Sequence, residues 1–262
     1  MRRYLRIYRM LMKLSFSSLT AYRSNFMWSI FSTMVWATFS VVSVTLITSR
    51  TANVYGWSRN EILLLTGVYN IIFGLFYMLF SRNFDKFANT VHLGKLDTIL
   101  TKPVDALFFL SCYYFNYSAI ARVLFGVGYS LYVLAVMGIA LTPLIIGMFL
   151  LFTVLSLMIL YSVWCLIVSL TIKWSQLSNL IDLLYTINGV ARYPQQMVQG
   201  LKYNLLFFLA PITLIVTTPT KLLISKLGPS DFVWLAVTAF GLLALSRAFF
   251  NYMVGMYTSA GG

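Results

Sequence analysis

Four ionisable residues, Glu61, Arg122, Asp182 and Arg247, fall in or beside long apolar runs. A charge in an apolar medium has to be paired, neutralised or put to use. Glu61 opens such a run, where a carboxylate caps a helix N-terminus. Arg122 and Asp182 lie toward the same end of their runs and are placed to form an intramembrane ion pair, either as a structural brace or as a substrate contact. No relay of carboxylates crosses the apolar runs, which counts against a proton- or sodium-driven carrier.

The rest of the catalytic inventory is thin. His92 is the one histidine, on a basic polar stretch where it reads as a surface residue, since a metal site needs several convergent ligands. HExxH, GxSxG and GxxxxGK[ST] are missing. Gly94-Lys95 has the last two invariant letters of a phosphate loop, but Leu96 replaces the Ser or Thr and no glycine-rich turn leads into it. No catalytic residue and no metal are therefore expected, nor ATP hydrolysis by this chain alone. Cys112 and Cys165 sit in apolar surroundings and read as small buried hydrophobes, with no CxxC and no disulfide framework.

The elements that carry these residues are written in hydrophobicity. Of 262 residues, 60% are hydrophobic and 10% charged, and the mean hydropathy is +0.84. This is an all-α polytopic membrane protein forming a single domain over 1–262, with lipid as its solvent. The net charge of +13 reads as basic loops beside anionic headgroups, not as a nucleic-acid surface.

Residues 1–23 are expected to form an amphipathic interfacial helix. Arg2, Arg6, Arg9 and Lys13 share one face, and Leu5, Tyr8, Met12 and Phe16 another. The apolar run after Arg23 is too long for a signal peptide core. Spans are expected over about 24–49, 61–81, 119–140, 144–171, 176–192 and 231–257, six in all. Tyr55 and Trp57, between the first two, suit the headgroup level. Pro211 and Pro219 among apolar residues predict that 193–228 is a re-entrant hairpin of two half-helices. Six basic residues precede the first span and four lie in 82–105, against two in 50–60. Both termini and the 82–105 loop are thus expected to be cytoplasmic. The four basic residues of 192–230 run against that bias, but early loops dominate orientation.

Three stretches carry a family resemblance: the run GKLDTILTKPV over 94–104, Ala191-Arg192-Tyr193-Pro194, and the pair Pro211 and Pro219. With the basic first helix and six spans, the chain resembles, over nearly its whole length, a permease subunit of the type-2 ABC exporter superfamily. Within it, the chain resembles the branch of small bacterial six-span permeases. The resemblance implies a dimer with a second copy or a paralogous permease, in the bacterial inner membrane. It also implies a separate ABC ATPase subunit that binds ATP and Mg, with no cofactor in this chain. Coupling to that ATPase falls on Gly94, Leu96, Asp97, Leu100, Lys102 and Pro103, with Leu96 and Leu100 offering one apolar face to a groove. An outer gate falls on roughly Pro194 to Leu227, with Tyr193, Pro194, Pro211 and Pro219 as its residues; Lys202, Lys221 and Lys226 depart from the family pattern there. The alternative reading is an ATP-independent channel or secondary transporter. The transported substrate is not legible.

Orientation is open to direct measurement. In a cysteine-free background, a single cysteine at Arg59 should react with an impermeant thiol reagent from outside, and one at Lys86 should not. The reverse pattern would invert the topology.

Overall fold

A computed structural model of the chain describes residues 2–50, 53–94, 96–174, 179–197 and 203–257. It is helical almost throughout. Helix α1 (Arg2–Ala21) is separated by Tyr22 from α2 (Arg23–Thr48). A two-residue hairpin follows, β1 (Asn53–Val54) against β2 (Trp57–Ser58). Its turn residues Tyr55 and Gly56 both have positive φ, 52° and 81°, the mirror-image turn that suits a tight hairpin. Helix α3 (Arg59–Phe76) passes through a π-helical segment (Tyr77–Ser81) into α4 (Arg82–His92). Then come α5 (Asp97–Leu100), α6 (Ala106–Cys112), a 3-10 turn (Tyr117–Ala119), α7 (Ile120–Val136) and α8 (Pro143–Leu170). The chain closes with α9 (Asn179–Asn188), 3-10 turns at Gly189–Arg192 and Gln195–Met197, α10 (Tyr203–Leu223) and α11 (Pro229–Gly255).

Among the described residues, five helices are long and apolar enough to cross a membrane: α2, the continuous 59–91 helix, α7 with its 3-10 lead, α8 and α11. Their outer faces are apolar, as with Trp28, Phe31 and Phe39 on α2 and Trp234, Phe240 and Leu245 on α11. In water such faces would be a liability; in lipid they are the natural exterior. The ends of these helices follow local chemistry. Thr142 accepts from the Ile145 amide and Pro143 takes the first position of α8, where its missing N–H costs nothing. Ser58 and Glu61 form a reciprocal capping box at α3, as a carboxylate there was expected to.

Two sequence expectations change here. The segment expected as a fifth span begins partly in 175–178, outside the described residues. Its described part is the ten-residue α9 followed by a 3-10 turn at Gly189. The segment expected as two half-helices instead holds one 21-residue helix, α10, which runs through both Pro211 and Pro219. Gly200 and Lys202 lie outside the described residues. Pro219 lacks an N–H, so it leaves the Ile215 carbonyl without its partner one turn on. Ser156 of α8 replaces that donor, its hydroxyl donating to Ile215 O at 2.8 Å with both residues fully buried. A neighbouring serine thus keeps a proline-bearing helix intact in a place where water cannot help.

The central seam is α3 against α7, and glycine makes it close. A Cβ on Gly126 would fall 2.8 Å from Ile71 N and 3.0 Å from Gly67 O. One on Gly67 would clash with Ser130 Oγ, and one on Gly74 would meet Val123 Cγ2 at 2.8 Å. Small residues let the two backbones touch, which is how helices associate without a hydrophobic driving force between them.

The amphipathic reading of α1 divides in two. Tyr4 and Tyr8 pack edge-on against Phe108 and Phe115 at 4.8 and 5.9 Å, and the Tyr117 hydroxyl donates to Met12 O at 3.1 Å. Leu5 and Phe16 remain exposed, as do Arg6, Arg9 and Lys13.

The Ser156–Ile215 bond can be isolated by a mutant cycle. Ser156→Ala should lower stability in detergent by about 1–3 kcal/mol by orphaning a buried carbonyl. Pro219→Ala restores the amide within α10, so in that background Ser156→Ala should cost less than half as much. Equal costs in both backgrounds would mean the bond has no such role.

Candidate functional site

A cavity of about 780 Å³ opens inside the bundle. Its first wall is a stripe on α2, namely Asn25, Ser29, Ser32, Thr33, Trp36 and Ser40. These recur at steps of three and four, one face of a helix. The second wall is Tyr69, Tyr77, Ser81, Arg82 and Asp85 on the 59–92 helix, and the third is Tyr185, Thr186, Gly189 and Arg192 on α9 and its 3-10 turn. Arg122 of α7 faces in between. A second cavity, about 790 Å³ among α8, α10 and α11, is mostly apolar. Its one charged pair, Lys221 with Asp231, is mutually neutralised at 3.0 Å.

The π segment explains how the second wall is built. Tyr69 and Asp85 are sixteen residues apart, which on an uninterrupted α-helix would put them about 160° from each other. A π turn carries about one extra residue and reduces that angle to about 60°. Both side chains therefore line one cavity.

Arg122 is 7% exposed. Its Nε donates to Asn70 Oδ1 at 3.0 Å, and its guanidinium lies 5.1 and 5.0 Å from the rings of Tyr69 and Tyr77. The amide nitrogen of Asn70 donates in turn to Ser40 Oγ and to Thr66 O, both at 2.9 Å. Asn70 thereby joins α2, α3 and α7. Arg192 shares the Tyr69 ring at 5.6 Å and donates to Gly189 O. The expected Arg122–Asp182 ion pair is not formed: the Asp182 side chain is exposed on α9, and an amide and two aromatic rings meet the guanidinium instead. Asp85 accepts from the Tyr185 hydroxyl at 2.8 Å, while its Oδ1 is buried without a partner.

Beyond the cavity, toward the hairpin, Val44, Ile62 and Leu65 are buried and the bundle is tied shut. Lys226 Nζ reaches Glu61 at 2.8 Å, and Trp57 Nε1 donates to Gln196 Oε1 at 3.1 Å. Trp57 is thus a buried strut and not a headgroup anchor; Tyr55 is the exposed one. Toward the other end the cavity reaches exposed Asn25 and Arg82.

Of the residues expected to couple, Gly94 adopts φ +64° just past α4, with its amide on Val91 O at 2.9 Å. That is the left-handed helix stop that favours glycine. Leu96 is 0% exposed and belongs to the core, so it offers nothing to a partner. The exposed apolar side chain here is Leu93, at 55%. Asp97 opens the four-residue α5, and Leu100 is half-buried. Lys102 stands 4.1 Å over the Phe109 ring and Pro103 is exposed. Lys95 and the His92 side chain lie outside the described residues. Arg247, grouped by sequence with the intramembrane charges, meets the carboxylate of Asp105, with Nη1 to Oδ1 at 2.9 Å. That bond holds the Asp105 carboxyl below the usual carboxylate range. Of the expected gate residues, Pro194 and Pro219 are buried and Tyr193 and Pro211 half-buried; Tyr193 is three residues before the Gln196 strut, Pro194 lies between the two 3-10 turns, and Pro211 and Pro219 share α10. Burial pushes the Cys112 thiol up to about 11, in keeping with an inert cysteine. Among the described residues no group of His, Cys, Asp and Glu could hold a metal.

Sequence reasoning missed the cavity itself. Its signal was legible in α2, where small polar residues recur every third or fourth position in an otherwise apolar span. A comparison with family models matches residues 23–261 to the family described as "ABC-2 family transporter protein". No curated protein and no solved structure matches the chain.

Asn70→Leu removes the bridge that satisfies Arg122. Stability should fall by about 2–4 kcal/mol through an orphaned buried charge. The double variant Asn70→Leu/Arg122→Leu should lose less than the two single variants added together. Strict additivity in thermal unfolding would remove the bridge from the account.

Proposed function

The chain belongs to the ABC-2 transporter family, and from that premise we propose that it is the permease subunit of an ATP-driven exporter. It works as a dimer with a second copy or a paralogous permease, coupled to a separate ATPase that binds ATP and Mg. The single observation that carries this reading is the polar cavity, which is tied shut at the hairpin end and reaches exposed residues at the α4 end. With the basic bias of the early loops, that mouth is cytoplasmic, in the inner membrane, with both termini on the same side. A polar compartment at membrane depth, open on the ATPase side, is where an exporter loads.

The stretch from Leu93 to Pro103 takes the coupling role. It is bound to the rest of the bundle at both sides: Leu96 is anchored in the core, and Asp105 is joined to Arg247 of α11. Closure of the ATPase dimer on ATP would push this stretch and move the helices attached to it, a population shift driven from a remote site. The far end of the cavity is the gate. Its ties are Trp57 to Gln196 and Glu61 to Lys226, next to Tyr193 and Pro194 and just beyond α10. Opening there breaks these polar contacts, which water can replace on the outer side, and parts the buried Val44, Ile62 and Leu65.

The test uses the residue the structure exposes. Leu93→Asp should leave the permease inserted and as stable as wild type, while cutting copurification of the ATPase and stimulation of its activity at least tenfold. Leu96→Asp should instead fail at folding, because it buries an unpaired carboxylate. Undiminished ATPase binding by Leu93→Asp would move the docking site elsewhere.

A further inference from the structure

We infer that the cavity binds an organic anion, held between Arg122 and Arg192 with Arg82 at its mouth. The inference rests on the reading of the cavity as the transport compartment and names the class of substrate it takes. Among the described residues, four ionisable side chains line the cavity: Arg82, Asp85, Arg122 and Arg192. The one carboxylate is three residues from Arg82 on α4, so the mouth carries both signs and is close to balanced. Deeper in, the charge is uncompensated. Neither Arg122 nor Arg192 is in any of the ion pairs found among the described residues, which are Lys221–Asp231, Lys226–Glu61 and Arg247–Asp105.

Both deep guanidiniums lie against the ring of Tyr69, so an anion beside that ring meets the two together. The protein bonds to each are few. Arg122 gives Nε to Asn70 and also bonds to the Tyr77 hydroxyl, and Arg192 gives Nε to a backbone carbonyl. A guanidinium has five N–H donors, and a carboxylate or phosphate takes two of them side by side. Two like charges at membrane depth are costly unless a counter-charge arrives, and a substrate anion supplies it. Tyr69, Tyr77 and Tyr185 with the small hydroxyls of α2 suit a polar or aromatic body behind that charge.

Gly189 belongs to the same design. A Cβ there would come within 3.0 Å of Arg192 Nη2, so its absence lets the guanidinium fold back beside the turn and still face the cavity. A larger residue at 189 would push that group off its place without altering its charge.

The shared chemistry of a carboxylate and a phosphate leaves two sources, a soluble anion and a lipid headgroup, and the experiment separates them. Purified permease without any ATPase is placed in phosphatidylcholine nanodiscs. Binding of 2-naphthoate and of 2-naphthylmethylammonium, alike in shape and opposite in charge, is measured by calorimetry. Naphthoate should bind at least tenfold tighter than the ammonium, and added salt should weaken it. Arg192→Gln should lose about tenfold in naphthoate affinity with unchanged thermal stability, and Gly189→Ala should lose part of it. Arg122→Gln also touches the Asn70 network, so Arg192→Gln decides the matter if that variant does not fold. In nanodiscs containing phosphatidate, competition with naphthoate that vanishes in Arg192→Gln would assign the site to a lipid headgroup. Absence of competition would assign it to a soluble anion. Equal or tighter binding of the ammonium, or naphthoate affinity unchanged in Arg192→Gln, overturns the proposal. Because no ATPase is present, that result would leave the exporter reading standing, and a failure of ATP coupling would leave this site untouched.

Discussion

A guanidinium buried among membrane helices sets the terms for the rest of this structure. Arg122 cannot be left bare in an apolar bundle, and no carboxylate comes to meet it. Asn70 solves the problem with a neutral group: its carbonyl oxygen takes the arginine, and its nitrogen is passed on to Ser40 and to the Thr66 carbonyl. The positive charge therefore stays positive, whereas a carboxylate partner would have cancelled it. The same four residues fix the spacing of α2, α3 and α7 and so the width of the cavity between them. Stability and electrostatics share one set of bonds, and neither can be tuned without the other.

Much of the architecture was legible because lipid is a severe solvent. The spans at α2, α7, α8 and α11 begin and end close to the positions read from apolar runs, since their charged and proline-bearing flanks leave little latitude. What escaped reading depends on partners far away in sequence. Nothing near Pro219 announces that Ser156, on another helix, will receive its freed carbonyl, so the helix looked broken when it is whole. Leu96 and Leu100 show a helical spacing but not which side of it the chain keeps for itself; the core claims Leu96 and leaves Leu93 outside. Arg122 and Asp182 were matched by charge, yet an amide and two aromatic rings lie closer. The α2 stripe is a different kind of miss, because its period is present in the sequence and each serine, taken singly, looks like tolerated polarity in a long span.

The stretch proposed to couple shows how a short segment can be both anchored and exposed. Gly94 turns the chain sharply after α4, Leu96 pins it to the core, and Lys102 covers the Phe109 ring. Asp105 then caps α6 through the Phe108 amide at 2.8 Å and also takes Arg247 from α11. On the proposed reading, a displacement applied at Leu93 would reach α6 and α11 through bonds only a few residues away.

The glycine seam between α3 and α7 sets apart two helices that are locked against each other. Helices whose backbones touch cannot slide: a shift of one residue would drive the flanking side chains of Ile71 or Val123 into the space that Gly126 and Gly74 keep open. The pair is therefore a stator, and it carries Arg122, Tyr69 and Tyr77 as fixed furniture. Any change in the shape of the compartment is then left to its third wall, the short α9 and the 3-10 turn that carries Arg192, while Arg122 keeps its place.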